Sequence, residues 1–118
     1  MKEILQRLEG VPGVLGALVM TLDGVVVASV PPGVDHERSA AFLSAVLLSI
    51  EKSAEQLGLV PLQRLTLAAT RGRLLLVPVG ELALVVLADS TSDLGQALNE
   101  VAGLTRRLLR QSKIDVSS

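Results

Sequence analysis

The chain has 118 residues, a formal net charge of −1 and no cysteine. This length fits one domain with a core of its own, and the lack of cysteine excludes a disulfide framework and a thiolate zinc site. Balanced charge and a single aromatic residue, Phe42, exclude the basic, base-stacking surface of a nucleic-acid-binding protein. Because 49% of the residues are apolar and only 19% are charged, we expect part of the surface to be covered by another subunit or partner.

The apolar stretches do not predict a membrane span. The longest, residues 74–88, is interrupted by proline, glycine and glutamate and is shorter than the about 20 residues that a helix needs to cross a bilayer. The first nine residues carry charges where a secretory signal would have its apolar centre. The sequence therefore predicts a cytoplasmic protein that does not insert into membranes.

The first thirty residues predict a short helix followed by a β-hairpin. Residues 2–9 carry apolar side chains at helical spacing, and Gly10 follows at a position that favours a helix C-terminus. Residues 14–20 and 25–30 are apolar runs separated by Asp23-Gly24. This pair is a strong hairpin signal, because glycine accepts the positive φ of a tight turn without steric cost.

Residues 38–58 predict the longest helix, with Asp35 as its N-cap and Gly58 at its C-terminal end. One arc of this helix is a core stripe of Leu43, Val46, Leu47, Ile50, Ala54 and Leu57. On a second arc, small and apolar residues stand where a surface helix is normally charged: Ala41, Ser44, Ala45 and Leu48, with Phe42 and Ser49 at its edge. We interpret the second arc as a subunit contact. The alternative is that a loop or the N-terminal helix covers it.

The second half of the chain predicts three strands and a closing helix. The strands are residues 62–70, 73–79 and 82–88, with turns at Arg71-Gly72 and Gly80-Glu81. Ser90 and Asp93 have the spacing of a capping box at the start of the last helix. The predicted order is helix, two strands, long helix, three strands, helix. It forms a single domain over residues 1–118, with its core at about 3–112.

No catalytic or metal-binding constellation is apparent. His36 is the only histidine, and no clustered carboxylates accompany it in sequence to share a metal ion. Neither a nucleophile elbow nor a phosphate-binding glycine loop occurs. We therefore predict a protein that is not an enzyme and has no metal or cofactor. Arg71 and Arg73 flank a glycine at a hairpin tip and, with Arg38 and Arg64 next, are candidates for contacts to a phosphate-handling partner; a solvated turn is the alternative.

The order of these motifs resembles the Roadblock/dynein light-chain family, in particular its bacterial, MglB-like members. The resemblance extends from about Ile4 to Leu109. It rests mainly on these motifs: Pro12-Gly13-Val14, Gly16-Ala17, Asp23-Gly24, the segment from Arg71-Gly72 to Pro78 with Gly80, and residues 82–87 leading into Gly95. It implies an α+β, profilin-like αββαβββα fold. The five-stranded antiparallel sheet would have the order 2-1-5-4-3, with the long helix on one face and the two terminal helices on the other.

The resemblance also implies a homodimer, since family members pack their long helices side by side and join their third strands. That arrangement would cover the second arc and pair an otherwise open edge strand. The residues implied for the interface are Ala41, Phe42, Ser44, Ala45, Leu48, Ser49 and Lys52 of the long helix and Arg64, Thr66 and Ala68 of the third strand. Arg38, Arg71 and Arg73 are the candidate contacts to a partner.

Family members have no catalytic machinery of their own, and bacterial members commonly act with a small Ras-like GTPase as activating or docking partners. For this chain the resemblance implies a homodimeric platform that regulates or scaffolds a small Ras-like GTPase. One alternative is a structural adaptor of a larger complex without a GTPase. Another is a small-molecule sensor, which would need an internal cavity.

Overall fold

The structure is a computed structural model that describes residues 2–31, 35–90, 95, 99–107 and 110. The elements run α1 (Lys2–Glu9), β1 (Val14–Thr21), β2 (Val26–Val30), α2 (His36–Gln56), β3 (Leu65–Ala69), β4 (Gly72–Val79) and β5 (Leu82–Ala88). A further helix, α3, covers residues 99–107, and residues 95 and 110 are also helical. Asp93 of the predicted capping box lies outside the described residues, as do the last two residues of the predicted core.

The five strands form one antiparallel sheet in the order β2-β1-β5-β4-β3. This confirms the predicted α+β class and strand order. β3 is shorter than the predicted strand, residues 62–70, because its pairing with β4 runs only from Leu65 to Ala69. It lies at one edge of the sheet, beyond β4.

Both ends of α2 are fixed by local hydrogen bonds. The Arg38 N–H donates to Asp35 Oδ1 at 3.1 Å, which confirms the predicted N-cap. At the C-terminus, the N–H of Leu59 donates to the Ala54 carbonyl at 2.7 Å and that of Gly58 to the Glu55 carbonyl at 3.1 Å. With a φ of 74° at Gly58, this is a Schellman motif.

The C-terminal motif overturns one prediction. Leu57 was assigned to the core stripe, but it is 73% exposed. The last helical residue is Gln56, and Leu57 is the C-cap. The chain reverses direction at this point, so Leu57 no longer continues the stripe of the helix.

The core has two parts, one on each face of the sheet. On one face, α1 and α3 contribute Leu5, Leu8, Val101 and Leu104 to a cluster with strand residues such as Val19 and Leu84. On the other face, α2 contributes Ala40 and Leu47 to a cluster with Leu18, Met20, Leu76, Ala83 and Val85. The placement of the long helix opposite the two terminal helices is therefore as predicted.

Candidate interaction surface

One helix does not cover the whole α2 face of the sheet. A helix is about 10 Å wide, whereas the axes of the outer strands in a five-stranded sheet lie about 19 Å apart. Beneath α2, residues paired across four strands are mostly buried: Leu65, Leu76, Val85 and Leu18. The next paired row consists of Leu67, Leu74, Leu87 and Gly16. In this row Leu67 is 47% exposed and Leu87 is 45% exposed.

An open groove of about 620 Å³ separates this second row from the N-terminal half of α2. Its floor and walls include Leu15, Leu67, Leu74, Leu87, Phe42 and Leu43. The polar atoms on the helix side are largely paired already, since His36 Nε2 lies 2.8 Å from the Pro31 carbonyl oxygen and Ser39 Oγ donates to the Asp35 carbonyl at 3.2 Å. Arg38 adds an exposed cation to the lining. The groove therefore offers apolar contact, and its titratable side chains, His36 and Arg38, do not form an acid–base pair suited to catalysis.

The second arc of α2 has two flanks with different neighbours. On one flank, the turn between β1 and β2 approaches the helix so closely that a Cβ added to Gly24 would lie 2.8 Å from Ser44 Oγ and 3.2 Å from Ala41 Cα. We call this side, with Ala41, Ser44 and Leu48, the turn flank. The alternative of loop coverage thus holds in part, because Ser44 is half-buried while Ala41 and Leu48 stay exposed.

The opposite flank of α2 faces the groove and β3. Ser39 and Phe42 line the groove together with Leu67 of β3, and helical spacing continues this side through Val46 and Ser49. We call Phe42, Val46, Ser49 and Ser53 the β3 flank. Phe42 is 70% exposed, Ser49 and Ser53 are exposed, and Val46 is half-buried.

Helical spacing predicts that Val46 is a core residue, and it gives no sign that Ser53 belongs to a contact surface. Helical periodicity alone could not separate the flanks, since it does not say on which side of α2 the strand β3 lies. The remaining helix residues predicted for the interface, Ala45 and Lys52, are exposed between the two flanks.

The edge strand and its hairpin carry the other predicted site residues. Arg64, Thr66 and Ala68 are exposed, and alternation places Thr66 and Ala68 on the face opposite Leu65 and Leu67. Arg71 is exposed in the β3–β4 turn, while Arg73 is half-buried within β4, paired with Ala68 and Ala88. Arg38, Arg71 and Arg73 thus all belong to the end of the sheet where α2 begins, although they lie on different elements.

Neither a metal-binding cluster nor a membrane-spanning helix occurs among the described residues. Among these residues, no three His, Cys, Asp or Glu side chains are grouped so that they could hold a metal ion. No helix in the same part of the chain is both long enough and apolar enough to span a bilayer.

Comparisons with known proteins agree with this architecture. The family model of the Roadblock/LC7 domain matches residues 1–88. The uncharacterized protein MJ0714 of Methanocaldococcus jannaschii is 38% identical over 93 residues, which are 78% of this chain and 79% of that protein. The Roadblock/LC7 domain from Streptomyces avermitilis has a TM-score of 0.86 at 19% identity, with 96% of this chain and 98% of that one covered. Myxococcus xanthus MglB has a TM-score of 0.88 at 16% identity, with 95% and 94% covered.

Proposed function

Because the chain belongs to the Roadblock/LC7 domain family, we propose that it is a non-catalytic homodimeric platform that regulates or scaffolds a small Ras-like GTPase. The main support for the proposal is that two uncovered surfaces of the chain adjoin each other. The outer edge of β3 lies beside the groove and the β3 flank of α2. A single chain leaves both exposed, and a second copy of the same chain can cover both at once.

In the proposed dimer, the β3 strands of two copies pair antiparallel across a two-fold axis and continue the sheet. This pairing satisfies the backbone groups along the outer edge of β3, which would otherwise invite non-specific association. It also brings the two α2 helices side by side above the joined strands. The β3 flanks then face each other, and the partner helix covers Phe42 and Leu67. Ser49 and Ser53 are small enough to let the helices approach closely.

We narrow the interface predicted from the sequence to one side of α2. Phe42 and Ser49 lie on the side of α2 where the second copy would stand, and Arg64, Thr66 and Ala68 lie along the joined edge. Ala45 and Lys52 lie on the outer surface of α2, at the edge of the proposed contact. Ala41, Ser44 and Leu48 lie on the turn flank, away from the second copy. We assign the turn flank to the GTPase, with Arg38 at the start of α2 as a candidate contact on the same face of the sheet. Arg71, after the edge strand β3, and Arg73, on the face opposite Leu74, stay candidate contacts predicted from the sequence.

The dimer is tested by placing one charge on each flank of α2. Ser49→Glu puts a carboxylate into the proposed helix–helix contact, where an unpaired charge is strongly unfavourable, so we expect monomers. Leu48→Glu is the matched control on the turn flank and should remain dimeric. Sedimentation equilibrium measures both masses. A dimeric Ser49→Glu protein, or a monomeric Leu48→Glu protein, would contradict the proposed interface.

The GTPase is tested with the same two variants. The wild-type protein serves as bait in an extract of its source organism, and GTP hydrolysis and nucleotide release by any captured Ras-like GTPase are measured with and without it. We expect Leu48→Glu to lose the GTPase while it remains a dimer. If no Ras-like GTPase binds a bait that is shown to be dimeric, the regulatory part of the proposal is wrong and the dimer is unaffected.

A further inference from the structure

A second depression lies at the other end of the α2 face, where α2 ends. It has a volume of about 430 Å³ and is bordered by the β1–β2 turn, the segment that leads from α2 to β3, and the end of β4. Leu22, Val60, Pro61 and Leu62 supply apolar walls, and Glu51 and Glu55 supply the charged side. We call it the acidic depression.

The charges around the acidic depression have one sign. Glu51 and Glu55 are one helical turn apart on α2, so their carboxylates lie on the same side of the helix. The Leu22 N–H donates to the Glu81 carbonyl at 3.3 Å. This contact brings the two neighbouring turns together, and these turns also carry Asp23 and Glu81. Two acidic side chains therefore line the depression, and two more acidic residues lie in the adjoining turns, where the Asp23 carboxylate accepts a hydrogen bond from the Thr21 hydroxyl.

The nearest basic residues in sequence are Lys52 and Arg64. Among the described residues, no lysine or arginine lines the acidic depression. Lys52 lies between Glu51 and Glu55 in sequence and is exposed, but it does not line the depression. Arg64 is exposed just before β3 and does not line the depression either.

Apolar surface is exposed next to these charges. Leu22 is 39% exposed and Val60 is 51% exposed. Leu57 and Leu59, in the segment that leads into the depression, are exposed as well. Exposed apolar side chains beside charges of one sign are typical of a binding site for another protein.

We propose that the acidic depression is a docking site for a short segment of a partner protein in which basic residues flank an aliphatic side chain. The aliphatic side chain contacts Leu22 and Val60, and the flanking lysines or arginines face Glu51 and Glu55. The charge complementarity selects this occupant. An anionic membrane surface or a nucleic acid would be repelled by the same carboxylates. The site lies within one protomer and does not depend on the proposed dimer or on a GTPase.

The test uses two synthetic peptides and the ¹⁵N-labelled protein. One peptide has a leucine between two pairs of lysines, and the other has glutamates in place of the lysines. We expect the lysine peptide alone to shift backbone amide signals, and the shifted signals to cluster around Leu22, Glu51, Glu55 and Val60. Shifts that cluster at the groove near Leu67 and Leu87, equal binding of both peptides, or no shift at millimolar lysine peptide would each overturn the proposal.

Matched variants test the two components of binding. Glu51→Gln with Glu55→Gln should raise the dissociation constant of the lysine peptide about five- to tenfold, because two exposed charge pairs are lost. The control, Glu3→Gln with Glu9→Gln, makes the same charge change on α1 and should leave it unchanged. Equal weakening by both pairs would mean non-specific attraction to a negative protein and would overturn the site.

Leu22→Ala tests the apolar wall and should weaken binding about tenfold. Leu15→Ala, which removes a comparably exposed leucine at the other end of the sheet, is its control. Ser49→Glu, the variant expected to be monomeric, should still bind the lysine peptide. Loss of binding in that variant would assign the depression to the dimer interface and contradict the proposal.

Discussion

The two faces of the sheet have similar apolar side chains but very different coverage. Leu84 and Leu87 lie on the same strand, β5, and face opposite sides. Leu84 belongs to the cluster under α1 and α3 and is fully buried, whereas Leu87 lines the groove beside α2 and is 45% exposed. The difference shows that an apolar residue in a strand becomes a core residue or a contact residue according to the helices that lie above it.

The number of helices explains the difference in coverage. Two adjacent helices, each about 10 Å wide, match the about 19 Å between the outer strands of a five-stranded sheet. One helix covers about half of that width. Since α2 is the only helix on its face among the described residues, apolar rows remain uncovered at its side. The face that looks incomplete in a single chain is therefore the face from which we expect association.

The comparison of the two faces is tested most strongly by truncating the two leucines of β5. Leu84→Ala removes a fully buried side chain and should lower the free energy of unfolding by about 2–5 kcal/mol. Leu87→Ala should lower it by about 1 kcal/mol or less, because water reaches the side chain in a single chain. Chemical denaturation in the Ser49→Glu background, which we expect to be monomeric, measures both, because a dimer would cover Leu87 and make stability depend on concentration. Equal losses would show that the faces do not differ in coverage.

The next largest effect is expected where the β1–β2 turn meets α2. Gly24 has a φ of 97°, and an added Cβ would lie 3.2 Å from Ala41 Cα and 3.3 Å from the Ala40 carbonyl oxygen. Gly24→Ala should therefore destabilise the protein by about 2–3 kcal/mol, through both strain and crowding. Gly58→Ala is the control: Gly58 has a φ of 74°, but no atom of the described part of the chain lies within 4 Å of the added Cβ, so the loss should be about 1 kcal/mol. Thermal unfolding compares them, and equal losses would argue against close packing at the turn flank.

A smaller effect is expected at the start of α2, beside the groove. Asp35→Ala removes the acceptor for the Arg38 N–H and should lower stability by about 1 kcal/mol. Asp35→Asn retains a capping oxygen and should lose much less. Hydrogen exchange of the first-turn amides locates the effect. Unchanged exchange in Asp35→Ala would contradict the capping role.

The smallest effect has the opposite sign and lies on the covered face. Gly103 is in α3, and an added Cβ meets none of the described residues within 4 Å. Gly103→Ala should therefore stabilise the protein by about 0.5–1 kcal/mol, because alanine favours the helix without disturbing its packing. Denaturant midpoints measure the gain. Destabilisation would show that α3 packs more tightly at this position than the structure indicates.

Most of the fold could be predicted from the sequence, because its signals are local. The Asp35 cap and the glycines at positions 24 and 58 fix turns and helix ends through contacts only a few residues apart. The strand order came from the family resemblance rather than from the alternation of side chains. Leu57 shows the limit of periodicity, since it fits the core stripe by spacing but lies beyond the last helical residue.

The candidate sites could be predicted only in part. The second arc of α2 was visible as missing charge, but its division into a turn flank and a β3 flank was not. The acidic depression was not visible at all, because Leu22, Glu51 and Val60 come from different segments. Neither the division of the second arc into two flanks nor the acidic depression follows from a periodic pattern in the sequence. Each depends on which elements the sheet places next to one another.

The sequence by itself determined where helices, strands and turns form and that too much apolar surface exists for one free chain. These properties follow from interactions between residues close in the chain and from composition. Only the tertiary structure decided which apolar residues lie under a helix, which side of α2 faces the edge strand, and where acidic side chains surround an apolar depression. Those outcomes depend on lateral packing between distant segments, which neither helical nor strand periodicity encodes.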